Sequence, residues 1–321
     1  MNLLQGLNSL RLLPPGAVMS IGNYDGVHLG HQRLLKIARE LRDMMSGARL
    51  AVVTFEPHPL TVLRPKQVPP RLTPPQLKRQ LLEAQGVDEL IELAPEPTVL
   101  GLTAEQFWHI LRDEARPSHL VEGTEFTFGK DRQGTTDRLR QWCVGSGIQL
   151  HVPAPVEAPL LDCHVVPVSS TLLRWLLSNG RVRDAAICMG RPYSLIGPVI
   201  RGHQRGREIG FPTVNLDCSQ QLIPADGVYV ARCQIDGREH AAALSIGTLP
   251  TFGDSQRQVE AYLLDFDGDL YGHTLQIEMI DWIREQQKFE TIDRLIRQIQ
   301  ADVEQTRQRA GIDPSRPIVA A

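Results

Sequence analysis

The chain has 321 residues, 42% of them hydrophobic and 22% charged, with a net charge of −3. That is an ordinary globular composition, long enough for two separately packed cores; its near-neutral balance speaks against a dedicated nucleic-acid binder, and no apolar run of about 18 residues offers a membrane span. Five scattered cysteines without a CxxC pair indicate neither a disulfide framework nor a zinc site, and MNLLQGLNSLRLLPPG lacks a secretory signal, so the expectation is a cytoplasmic protein.

Up to about residue 180 strands and helices alternate. The apolar AVMSI (17–21) precedes a glycine-rich turn, and HQRLLKIARELRDMM (31–45) follows at helical period. RLAVVTF (49–55), a proline-rich loop, the helical QLKRQLLEAQG (76–86), DELIEL (88–93), the helical TAEQFWHILRDE (103–114) and HLVEG (118–122) come next. A helix within 134–145, the strand IQLHV (148–152) and a helix at 170–178 complete the series, which calls for a parallel sheet. A short helix within 181–194 marks the join. Beyond it, YSLIGPVIRG, GVYVARCQID, HAAALSIG, VEAYLLDF and TLQIEMI are β-rich runs between Gly, Asp and Pro turns, as in a small antiparallel barrel. DFDGDLYG, within 265–272, reads as a hairpin turn. The last helix, TIDRLIRQIQADVEQ, carries an apolar docking stripe of Ile292, Leu295, Ile296, Ile299 and Val303, with Thr291 as its cap.

GNYDGVHLGHQ (22–32) is the first stretch with chemistry. It lies between a strand and a helix, where open parallel sheets bind ligands beyond the carboxyl ends of their strands. Gly22, Gly26 and Gly30 permit close backbone approach, and the helix start near His31 offers free N–H groups to phosphate. His28 and His31 add donors that can follow charge growing on a phosphoryl group. As bare sequence the two histidines could also be a cap and a solvent-facing turn residue; a metal reading lacks a third nearby ligand.

The stretch resembles the G-x-F-D-G-x-H-x-G-H signature of the HxGH nucleotidyltransferases, with Tyr24 where Phe is usual. More narrowly it resembles the amino-terminal module of the prokaryotic bifunctional riboflavin kinase/FAD synthetases. The likeness continues through TFEPHP (54–59), RLTPPQLKRQLL (71–82), FTFGKDRQG (126–134) and VSSTLLR (168–174). It resumes in RGREIGFPTVNL (205–216), PADGVYVARC (224–233), SIGTLPTFG (245–253), VEAYLLDFDGDLYG (259–272) and EQQKF (285–289).

The resemblance implies a Rossmann-like α/β nucleotidyltransferase domain over 1–182 and a six-stranded antiparallel β-barrel with a C-terminal helix, a riboflavin kinase, over 183–321. In the first, His28, His31 and Arg174 would stabilise the triphosphate during catalysis. Gly22, Asn23, Asp25, Gly26, Gly30, His58, Ser169, Ser170 and Thr171 would bind nucleotide or flavin. In the second, Gly202, Arg205, Arg207, Gly210 and Pro212 belong to a phosphate-covering loop, and Thr213 and Asn215 would supply oxygens to Mg²⁺. Glu260 matches the catalytic carboxylate that takes a proton from the ribityl hydroxyl. By alternation it shares a face with Tyr262 and Leu264 and is expected to point inward, where a carboxylate without a task is costly.

The implied substrates are riboflavin, FMN and ATP, with no nucleic-acid or membrane partner and homo-oligomerisation left open. The family pattern is broken by Thr124, Glu125 and Thr127 near FTFG, by Pro167 before the SST loop, by His203-Gln204 in the covering loop and by Val214. Thr127 and Pro167 motivate a rival expectation, a riboflavin kinase whose adenylyltransferase half is impaired. A non-catalytic flavin-sensing protein is the third.

Overall fold

A computed structural model describes residues 1–202, 205–249 and 254–311, with backbone alone at 205, 249 and 254–256. The chain forms two compact units, residues 1–158 with 165–170, and residues 159–164 with 171–321.

The first unit is built on a six-stranded parallel sheet: β1 (Asn2–Gln5), β2 (Val18–Ile21), β3 (Leu50–Phe55), β4 (Glu89–Leu93), β5 (His119–Val121) and β6 (Gln149–His151), in the order β1-β4-β3-β2-β5-β6. Its central strands are apolar on both faces, as helix-covered parallel strands are. Val18, Val52 and Leu90 pack with Leu35 and Ala38 of α1 (Leu29–Asp43) and Leu82 of α2 (Pro75–Ala84). Their neighbours Met19, Val53 and Ile91 pack on the opposite face with Leu10, Phe107 and Trp108. The chain winds from β2 to β3 and β4 on one side and returns to β5 on the other. The carboxyl end of β2 is therefore the switch point of the sheet, where such folds open a crevice. β1 was not foreshadowed, because four residues at an edge show too little alternation to read.

In the second unit β7 (Tyr193–Ile200), β8 (Thr213–Leu216), β9 (Gly227–Ile235), β10 (Arg238–Leu249), β11 (Asp254–Leu263) and β12 (Thr274–Arg284) close an antiparallel barrel in the order β7-β8-β11-β10-β9-β12. The helices α3 (Ser170–Ser178) and α4 (Val182–Met189) precede it, α3 beginning at the last residue of the first unit.

Two expectations are corrected here. β11 and β12 are not neighbours in the barrel, so 264–273 is a crossing connection and no hairpin. Glu260 points out, not in: Val259, Ala261 and Leu263 are the buried interior residues of β11, while Tyr262 and Leu264 pack outside against Val303 and Ala310. Barrel closure decides which side of a strand is the interior, and alternation alone does not.

The helix α5 (Ile292–Arg309) is capped by Thr291, whose hydroxyl accepts from the Arg294 N–H at 3.3 Å. Its stripe docks through Val303, with Leu295, Ile296 and Ile299 half-buried, but Ile292 stays 52% exposed. The deepest contacts are polar, Asp302 and Thr306.

Candidate active sites

In the first unit the turn after β2 is held from three directions. The Asp25 carboxylate accepts the backbone N–H groups of Leu72 and Thr73 at 3.0–3.1 Å, and the Gly26 N–H donates to Thr73 Oγ1 at 3.0 Å. The Gln32 side chain donates to the Val27 carbonyl at 2.9 Å. These ties hold Tyr24 and Val27 at φ 51° and 38°, left-handed backbone that non-glycine residues seldom adopt and that clusters at ligand sites. The Asp25 carboxylate thus faces the 71–73 loop. Arg71 of that loop pairs with Glu56 at 2.7 Å, as Lys78 does at 3.0 Å, so one short segment fixes both the glycine turn and the EPHP loop. Burial pushes the Glu56 carboxyl up, but the two cations outweigh it and hold it below the usual carboxylate range.

His28 is the N-cap of α1, its Nδ1 accepting from the His31 N–H at 3.4 Å. That leaves Nε2 to carry the proton of the neutral ring. The two imidazoles stack with centroids 3.8 Å apart at 18°, and the Tyr24 ring lies 4.8 Å from His31. A Cβ at Gly30 would stand 3.0 Å from His28 Cε1, so glycine is what lets the ring lie along the helix entrance. The first turn of α1 contains no acidic residue to compete with a phosphate for the positive end of the helix dipole. Ser170 donates to the Asp25 carbonyl at 2.7 Å and joins the SST segment to this turn, with Ser169 half-buried beside it in the chain. Thr171 and Arg174 continue along α3 and belong to the second unit.

A cavity of about 1020 Å³ opens beside the turn, at the carboxyl ends of β2, β3 and β4. Asn23 and His58 line it, Nδ2 to Nε2 3.4 Å, together with Phe126, Thr127, Lys130 and Arg132. Its apolar walls, few polar groups and volume suit a fused aromatic ring system with a phosphate.

Sequence reasoning passed over the support beneath this site. The Tyr24 hydroxyl donates to Ser20 Oγ at 2.6 Å, and Ser20 donates to the Val121 carbonyl at 2.5 Å. The adjacent Glu122 accepts the Ile21 N–H at 3.0 Å and is only 1% exposed, and burial drives its carboxyl well above the usual range against that hydrogen bond. A glutamate directly after the apolar Leu120-Val121 was the available signal.

In the second unit Asn215 of β8 is the cross-strand partner of Glu260, and Thr213 that of Tyr262. All four share the outer face of the barrel, where Asn215 is buried and Glu260 half-buried. The glycine loop lies directly on them: a Cβ at Gly202 would collide with the Asn215 amide, and one at Gly206 with the Phe211 carbonyl, 3.3 Å from Thr213 Oγ1. Backbone that close to the donors is how a phosphate-covering flap is built. Arg207, Gly210 and Pro212 are exposed on the same loop. His203, Gln204 and the Arg205 side chain lie outside the described residues. Thr213 and Asn215 offer neutral hard oxygens with a carboxylate nearby, a donor set that fits Mg²⁺ shared with phosphates and water.

Residues 11–171 match the family model described as FAD synthetase, and residues 189–310 the one described as riboflavin kinase. A bifunctional riboflavin kinase/FMN adenylyltransferase from Pseudomonas fluorescens is 37% identical over 314 residues, 97% of this chain and 98% of its own. The protein of that description from Escherichia coli K12 is 32% identical over 316 residues, 97% of this chain and 99% of its own. A solved structure described as a macrolide-efflux protein from Streptococcus pneumoniae superposes with a TM-score of 0.84 at 30% identity, over 96% of this chain and 99% of that one. Among the described residues, no helix is long and apolar enough to cross a membrane.

Proposed function

The chain belongs to the bifunctional riboflavin kinase/FMN adenylyltransferase family, and from that premise we propose how its residues divide the work. The enzyme phosphorylates riboflavin with ATP to give FMN, then joins FMN to the adenylyl group of ATP to give FAD and pyrophosphate. Residues 1–182 carry the second reaction and 183–321 the first, in the cytoplasm, on small-molecule substrates.

The observation that carries this reading is that each unit has its own glycine turn set against polar groups, the head of α1 in one and Thr213 and Asn215 in the other. In the first, an FMN phosphate oxygen attacks the α-phosphorus of ATP in line as pyrophosphate departs. His28, His31 and the head of α1 stabilise the charge that spreads over the phosphoryl oxygens. The flavin ring occupies the cavity beside Asn23 and His58. No covalent intermediate is needed, and rate comes from positioning and electrostatics.

In the second unit the ribityl 5′-hydroxyl attacks the γ-phosphorus while Glu260 takes its proton. The 201–210 loop covers the phosphates. A Mg²⁺ ion held through Thr213 and Asn215 would, when bound, neutralise phosphate charge.

Product analysis from riboflavin, ATP and Mg²⁺ tests the whole reading, with FMN followed by FAD expected. FMN alone would favour the impaired-adenylyltransferase reading raised by Thr127 and Pro167. Absence of both products would favour a flavin sensor.

A further inference from the structure

The strand register around Glu260 brings in one more residue. Asn215 on β8 and Ser245 on β10 are both direct cross-strand neighbours of Glu260 on β11. Directly opposed residues of an antiparallel pair have Cβ atoms about 4.5–5.5 Å apart, within reach of a serine hydroxyl and a glutamate carboxylate. Ser245 is itself held in place: the Gln286 amide donates to Ser245 Oγ at 2.8 Å and to the Ile246 carbonyl at 3.1 Å. Gly247, at φ 142°, leaves room for this reach, since a Cβ there would stand 3.0 Å from Gln286 Cγ. A hydroxyl that accepts one hydrogen bond still has its own proton to donate. Of the two residues opposite Ser245, Val228 on β9 has no side-chain acceptor and Glu260 has a carboxylate.

We infer that Ser245, fixed by Gln286, positions the base of the kinase half, its hydroxyl orienting the Glu260 carboxylate toward the ribityl 5′-oxygen. The inference rests on Glu260 being that base. The proton passes from the ribityl oxygen to Glu260 as the new O–P bond forms and the bond to the ADP oxygen breaks; Ser245 keeps its own proton throughout. Among the described residues, the same-face neighbours of Glu260 are Asn215, Ser245, Gln258 and Tyr262.

The test is the split between kcat and riboflavin KM of the kinase reaction in Ser245→Ala, Ser245→Thr and Gln286→Leu, with Glu260→Gln as reference. A base that is present but poorly aimed lowers turnover and leaves substrate binding alone. Ser245→Ala is therefore expected to lower kcat about tenfold with riboflavin KM little changed. Ser245→Thr, which keeps the hydroxyl, should restore kcat, and Gln286→Leu should lower it by less than Ser245→Ala does. Unchanged kcat in Ser245→Ala, with Glu260→Gln inactive, overturns the positioning role and leaves the base in place. Wild-type turnover in Glu260→Gln instead overturns the reading on which the inference rests. A rise in riboflavin KM with kcat unchanged would mark Ser245 as structural and also overturn the proposal.

Discussion

His28 caps the helix on which His31 sits, and the two rings stack 3.8 Å apart. The capping role seen at His28 and the phosphate chemistry proposed for it would fall on the same side chain, and substitution can separate them. Asparagine is as good a cap as any residue. His28→Asn is expected to keep the melting temperature within a degree or two while FAD formation from FMN falls about 10²- to 10³-fold. His31→Ala should do the same, and in both variants FMN formation from riboflavin should persist. Equal loss of both products would refute the independence of the halves.

The contact of Gly202 with Asn215 gives a second prediction. Gly202→Ala forces the loop off the Asn215 amide. Displacements near 1 Å commonly reduce turnover about a hundredfold. Kinase kcat should fall on that scale, while FAD synthesis from supplied FMN stays at the wild-type rate; a simple two-substrate assay of each half decides it.

Glu122 should make stability depend on pH. Its folded-state pKa is raised by burial, so the folded protein holds the proton longer than the unfolded chain does. The contribution is complete below the unfolded value near 4.5 and is lost as pH rises through the folded one. Glu122→Gln keeps the acceptor for the Ile21 N–H but cannot ionise. Thermal melts should show it level with wild type below about pH 4 and more stable than wild type at pH 8. A wild type whose stability does not fall with pH relative to the variant would contradict this.

Asp302 anchors α5 by accepting three hydrogen bonds from Arg284, at 3.0, 3.1 and 2.7 Å, with the two side chains 4% and 16% exposed. Removing one partner of a buried pair leaves a charge without compensation. Asp302→Ala should destabilise the barrel unit by about 3–5 kcal/mol in denaturant unfolding. FAD formation from supplied FMN should survive it.

Much of this was legible in the chain, and the reason is locality. The limits of α3, the helix expected at 170–178, emerge as Ser170–Ser178, and the parallel and barrel halves follow from alternation and Gly/Pro punctuation. The long-range ties were not legible. Asp25 finds its partners 47 and 48 residues away, and Glu260 meets Ser245 and Asn215 only once the strands close. Hydrophobic periodicity also hid the polar anchor of α5, because Asp302 interrupts no stripe and merely sits next to Val303. The side of the barrel on which Glu260 emerges needed the closed ring, which no single strand encodes.

The pairing of β11 between β8 and β10 has a consequence for how this half can vary. Adjacent side chains on a strand leave opposite sides, so a slip of one residue would carry Glu260 into the apolar lumen and set a methyl-bearing neighbour beside Asn215. With Glu260 as the proposed base, phosphoryl transfer depends on the parity of a residue count. Connecting segments can lengthen over time, but an odd-numbered gain or loss within this ribbon would silence the reaction even if the ring still closed.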